Sequence, residues 1–187
     1  MARVRIYDTE IEYSVSYRDI KYPRLEFKTG KLILVLPKNY GNEKKLIEKY
    51  RDWIYRKKLT IEEAKRIARK KKIENRDEKE LKNFVKEIVN EYSKEMKAKV
   101  NRIYFRRLKS KWGSCSSKGN LSFNILLKYL PNELVKYVVY HEITHLKERR
   151  HNKKFWEIIS KKFRDYEKKE KELLAYWFLI QEIERIE

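Results

Sequence analysis

The sequence predicts an α+β fold: a small N-terminal antiparallel β-sheet, then connecting helices, then a C-terminal metal-binding region that mixes strands with helices. Three observations predict it. Polar and apolar residues alternate through about the first 36 positions, the period of half-buried strands. Apolar residues recur at helical spacing through the middle of the chain. Beyond Val100, strand patterns flank a glycine-containing loop and lead into a helix that carries two histidines four residues apart. At 187 residues the chain is long enough to bury a substantial core and is most simply one compact unit, in the order 1–40 (sheet), 41–100 (connecting helices) and 101–187 (metal-binding region).

Val4 and Ile6 open the sheet, and Ile11, Tyr13, Val15 and Tyr17 alternate with Glu12, Ser14 and Ser16. Residues 24–28 and 31–36 read as a hairpin that turns at Thr29 and Gly30, with Pro37 and Gly41 closing the sheet. Leu46, Ile47, Tyr50, Trp53 and Ile54 form one apolar helical face. Thr60 with Glu63 has the spacing of a capping box, which predicts the start of a second, short basic helix. The stripe Leu81, Phe84, Val85, Ile88, Val89, Tyr92 and Met96 predicts a long core-facing helix. Residues 102–108 and 120–127 read as strands joined by a loop over 109–119 that contains Gly113 and Gly119. Pro131 and Asn132 open the histidine-bearing helix, Asn152 caps another, and Leu173, Tyr176, Trp177, Ile180 and Ile183 mark a last amphipathic helix.

All three histidines of the chain, His141, His145 and His151, fall in one short stretch. His141 and His145, four apart on a helix, present two imidazoles on one face. Glu142 beside them can take a proton from a metal-activated water, the chemistry for which H-E-x-x-H is suited. His151 supplies the third ligand of a catalytic zinc site, which leaves one position open. A continuous helix would carry His151 about 9 Å beyond His145 on another face, so the chain must turn after His145. The charged run 147–150 suits a helix end. Glu157, Glu167, Glu170 or Glu172 is the alternative third donor. Zinc follows from ligand type, and nickel, cobalt or manganese fit the same set.

The single cysteine, Cys115, leaves no intrachain disulfide. No charged leader followed by an apolar stretch opens the chain and the apolar run 173–180 is too short to cross a bilayer, so a soluble cytoplasmic protein with no membrane partner is expected. Lysine- and glutamate-rich composition, with 41% charged residues, resembles that of hyperthermophile proteins. The net charge of +20 would attract polyanions, so a nucleic acid or nucleotide is a possible partner.

The segment Lys111-Trp112-Gly113-Ser114-Cys115-Ser116, followed by a strand and by HEITHLKERRHNKKFW with its Phe155-Trp156 pair, resembles the YgjP-like metallopeptidase family and, more distantly, SprT-like proteases. The resemblance implies a zincin-like domain in which His141, His145 and His151 hold the metal and Glu142 is the catalytic carboxylate. It implies a peptide or protein substrate, paired as an extended strand with the edge of 120–127, where Asn124 would contact it. Cys115 reads as a small residue that holds its loop, or as a fourth ligand that would close the site. Two other functions stay open: the same site hydrolysing nucleoside triphosphates, and a basic nucleic-acid-binding protein whose zinc is structural.

Overall fold

The computed structural model describes residues 2–28 and 30–184. Strands β1 (Ala2–Ile6), β2 (Thr9–Arg18), β3 (Arg24–Lys28) and β4 (Lys31–Pro37) form a four-stranded sheet in the order β1-β2-β4-β3. The α+β class holds, with one correction to the expected antiparallel sheet. Its central pair, β2 and β4, runs parallel, with Tyr13 opposite Leu32 and Tyr17 opposite Leu36. The cause is visible in β4, where Leu32, Leu34, Val35 and Leu36 are all fully buried. Such a continuous apolar run belongs at the centre of a sheet, so β3 passes beyond it and β4 folds back between β2 and β3. Residues 19–23 are long enough for this, because crossing two strand spacings requires only about 10 Å. The β3–β4 hairpin forms as expected, with Gly30 at φ +82°; Thr29 lies outside the described residues.

Helix α1 (Glu43–Lys49) and helix α2 (Arg51–Ala68) follow. The expected capping box at Thr60 does not exist: α2 runs straight through it, and Thr60 Oγ1 donates to Arg56 O within the helix at 2.8 Å. The real capping box starts α3 (Glu78–Glu95), where Asp77 accepts from the Glu80 amide and the Glu80 side chain accepts from the Asp77 amide. Leu46, Ile47 and Ile54 close one apolar cluster against the sheet.

The apolar stripe of α3 enters a second and larger cluster with the C-terminal half. There β5 (Ile103–Arg106), β6 (Gly113–Cys115) and β7 (Leu121–Asn124) make a three-stranded sheet in the order β5-β7-β6, followed by a 3₁₀ turn at Ile125–Tyr129. Helices α4 (Asn132–Thr144), α5 (Lys153–Lys162) and α6 (Tyr166–Ile183) complete the fold. Ile61 and Ala64 of α2 pack with Phe178 of α6 and so join the N-terminal elements to the C-terminal ones. No helix among the described residues is long and apolar enough to cross a membrane.

Candidate active site

Helix α4 is buried along its length, from Leu134 and Val135 to Ile143 and Thr144. It ends where the third histidine requires it to: His145 is the C-cap and the next two residues turn. Asn152 then caps α5, its side chain accepting from the Phe155 amide at 3.1 Å. The turn between the two caps brings His151 back over α4. His141 Nε2 and His151 Nε2 lie 2.9 Å apart, and one donor nitrogen from each of the three rings lies within 4.8 Å of the others.

The donor chemistry suits a divalent cation. Zinc–imidazole bonds of about 2.0–2.1 Å at tetrahedral angles place nitrogens about 3.3 Å apart, against 2.9 Å for the His141–His151 pair and at most 4.8 Å within the group. His145 Nδ1 faces the carbonyl of Glu148 at 3.2 Å. A carbonyl only accepts, so the proton sits on Nδ1 and the lone pair on Nε2. His141 Nδ1 faces Glu170 Oε1 at 3.7 Å, and Glu170 also accepts from Tyr137 Oη at 2.6 Å. That carboxylate stands on the Nδ1 side of His141, while its Nε2 lies toward His151. Burial, reinforced by the two neighbouring imidazoles, lowers the His141 pKa to about 3, and burial lowers that of His145 as well. Both rings are therefore neutral donors at ordinary pH.

Phe155, fully buried, floors the cluster with its ring centroid 4.9, 4.7 and 4.7 Å from those of His141, His145 and His151. Trp156 stacks on His151 and, on its other side, on Tyr166 of α6. The Phe-Trp pair thus acts as a mould for the third histidine. Of the alternative donors, Glu170 lies on the Nδ1 side of His141, while Glu157 pairs with Lys153 and Glu172 with Lys71. Cys115 Sγ is not among the grouped donor atoms, although the residue lines the same cavity of about 610 Å³.

Glu142 is 7% exposed and lies against Gly113, where an added Cβ would come within 2.6 Å of Glu142 Cγ and 2.7 Å of Oε1. Only glycine lets β6 approach the carboxylate this closely. Burial pushes the Glu142 pKa up to about 8, against the pull of Lys111 and with a smaller push from Glu170. The sequence did not single out Lys111, Tyr137 or Arg149, and it offered Glu170 only as an alternative metal donor; all four line the cavity.

Two expectations about substrate binding need correction. Asn124 is fully buried, and its side chain is spent on the main chain: Nδ2 donates to Leu108 O and Lys111 O, and Oδ1 accepts from Leu126 N. It anchors the loop ahead of β6 and has no polar atom left for a substrate. The strand it ends, β7, lies between β5 and β6 and has no free edge. The edge strand beside the histidines is β6, whose Gly113, Ser114 and Cys115 line the cavity. The sequence predicts a loop there, because three residues carry no alternating pattern.

Two solved structures are similar in part. The metallopeptidase zymogen abylysin of Pyrococcus abyssi is 23% identical over 42% of this chain and 79% of its own, with a TM-score of 0.39. The metallopeptidase zymogen jannalysin of Methanocaldococcus jannaschii is 29% identical over 48% of this chain and 84% of its own, with a TM-score of 0.41. Neither likeness is close enough to transfer a residue role. No curated protein matches the chain significantly. The family model of the YgjP-like metallopeptidase domain matches residues 62–176, from within α2 to within α6, and so takes in all three histidines, Glu142 and the loop of Gly113. The chain therefore belongs to the YgjP-like metallopeptidase family.

Proposed function

We propose that the protein is a zinc-dependent peptidase in which His141, His145 and His151 hold the ion and Glu142 is the general base. One observation carries the reading: three imidazoles converge with no fourth protein donor among the described residues, in a cavity that also holds a buried carboxylate. A zinc ion with three protein ligands supplies Lewis acidity, making water acidic enough to lose a proton near neutral pH and polarising a carbonyl. With the charge of that cation beside it favouring the ionised carboxylate against the effect of burial, Glu142 would take a proton from water and return it to the departing amine nitrogen. Lys111 and Arg149, on the cavity wall, supply positive charge for the carbonyl oxygen as it becomes negative. The free edge of β6 offers main-chain hydrogen bonds to an extended peptide and so lays it across the histidines.

Glu142→Gln tests the mechanism, because it keeps shape and removes the base. Zinc stoichiometry is expected to stay at the wild-type value while kcat on an unstructured protein falls by about 10²–10⁴. Undiminished cleavage would remove Glu142 from its role. Phosphate release from nucleoside triphosphates without any peptide cleavage would overturn the peptidase reading.

A further inference from the structure

The metal cavity opens at one end into a second cavity of about 510 Å³, and Ser116, His145 and Arg149 line both. Three turns build this second cavity: residues 97–101 between α3 and β5, residues 116–119 between β6 and β7, and residues 145–149 after α4. They bring together Lys97, Lys99, Lys118, Lys147 and Arg149, and the lining contains no carboxylate. None of the five makes an ion pair among the described residues, although lysines and arginines elsewhere in the chain do.

Two of these cations are held in place by the main chain. Lys147 Nζ donates to Lys97 O at 2.9 Å, and Arg149 Nη2 donates to Ser117 O at 2.9 Å. The other end of the metal cavity is of different character. Through Lys111, Trp112, Glu170 and Leu173, which line both, it meets a groove lined by Phe27, Trp53, Trp177 and Phe178 together with Lys57 and Lys109. A chain lying on β6 would leave that strand at Ser116 and enter the basic cavity directly.

We propose that this cavity is a subsite for acidic residues, so that the preferred substrate is a polypeptide with a run of glutamate or aspartate to one side of the scissile bond. The inference rests on the peptidase reading for the scissile bond, but binding of an acidic peptide can be measured without cleavage. Concentrated, unpaired positive charge in a concave site attracts carboxylates and penalises lysine at the same position. The groove at the other end also carries Lys57, Lys109 and Lys111, but there the carboxylate of Glu170 lies among the lining residues, so the carboxylate-free cavity is the stronger site for acidic side chains.

The experiment has two arms. In the first, a fluorescein-labelled peptide with six glutamates is titrated into Glu142→Gln protein, with and without K99E/K118E, two exposed positions outside the metal cavity. Charge reversal is expected to weaken binding at least about tenfold, and the neutral pair K99Q/K118Q to weaken it by less, which guards against misfolding as the cause. In the second, wild-type enzyme is given a neutral quenched peptide and two versions with four glutamates on one side or the other. One acidic version is expected to show KM about tenfold below the neutral peptide with similar kcat. K99E/K118E should erase that gain and leave the neutral peptide unaffected. Equal KM for all three peptides, or a preference that survives charge reversal, overturns the proposal. So does an oligonucleotide of equal charge that binds more tightly than the acidic peptide. If no peptide is cleaved, the peptidase reading fails while the titration still decides the subsite.

Discussion

At the scale of single residues, the site depends on side chains that seldom attract notice in a sequence. Gly113 adopts no unusual backbone angle; it is required because Glu142 occupies the space where a Cβ would stand. Gly113→Ala forces the carboxylate aside or moves β6. It is expected to lower stability by about 1–3 kcal/mol and to lower kcat at least tenfold, judged by thermal unfolding and peptide cleavage, while metal content stays unchanged because no histidine is displaced. An alanine variant with wild-type kcat would show that Glu142 has room to spare. The histidines and Glu142 could be picked out from spacing alone. The carboxylate on the Nδ1 side of His141 could not, since Glu170 stands 29 positions beyond His141 among many glutamates and only the packing of α6 selects it. Asn124 misled for the opposite reason: a polar residue at a strand end looks available, yet it is consumed by three main-chain partners.

Among the elements, the decisive feature is where α4 stops and α5 starts. His141 and His145 belong to one helix, and His151 reaches them only because the chain turns within five residues and is capped again at Asn152. The cap signal was readable, because asparagine ahead of an amphipathic run is a common helix start. Asn152→Ala removes the bond to the Phe155 amide and should cost about 1 kcal/mol. Since His151 precedes the cap and Phe155 floors the rings, the same change should weaken zinc binding about fivefold, the equivalent of that energy. Competition against a chromogenic chelator measures it, and unchanged affinity would mean that Trp156 and Phe155 hold His151 without the cap. Other elements were misread for identifiable reasons. The threonine–glutamate spacing at Thr60 imitates a cap inside a helix that tertiary packing prolongs, and the three-residue β6 is too short to show a period.

Over the whole molecule, the three histidines lie on α4 and just ahead of α5, so an ion held by them would act as a cross-link within the larger core. An ion present at about 100 times its dissociation constant contributes about 2.7 kcal/mol. Chelation should therefore lower the unfolding midpoint, and zinc should restore it. Amide exchange should accelerate first over residues 151–162, which the ion holds to α4. A midpoint indifferent to chelator would mean that the imidazoles do not share an ion in the folded protein. The net charge of +20 shows the complementary limit of composition: it announces attraction for anions, but not where on the surface the charge gathers.

The sequence by itself determined the α+β class, most helices and strands, the short spacing of the three histidines and the family resemblance. Each of these is written in local periodicity or in residue type at short spacing. Only the tertiary structure decided that β4 enters between β2 and β3, that β6 and not β7 presents its edge to the site, that Gly113 bears on Glu142, and that five cations gather beside the metal cavity. These depend on which distant segments share a core, and burial is settled by the whole chain at once.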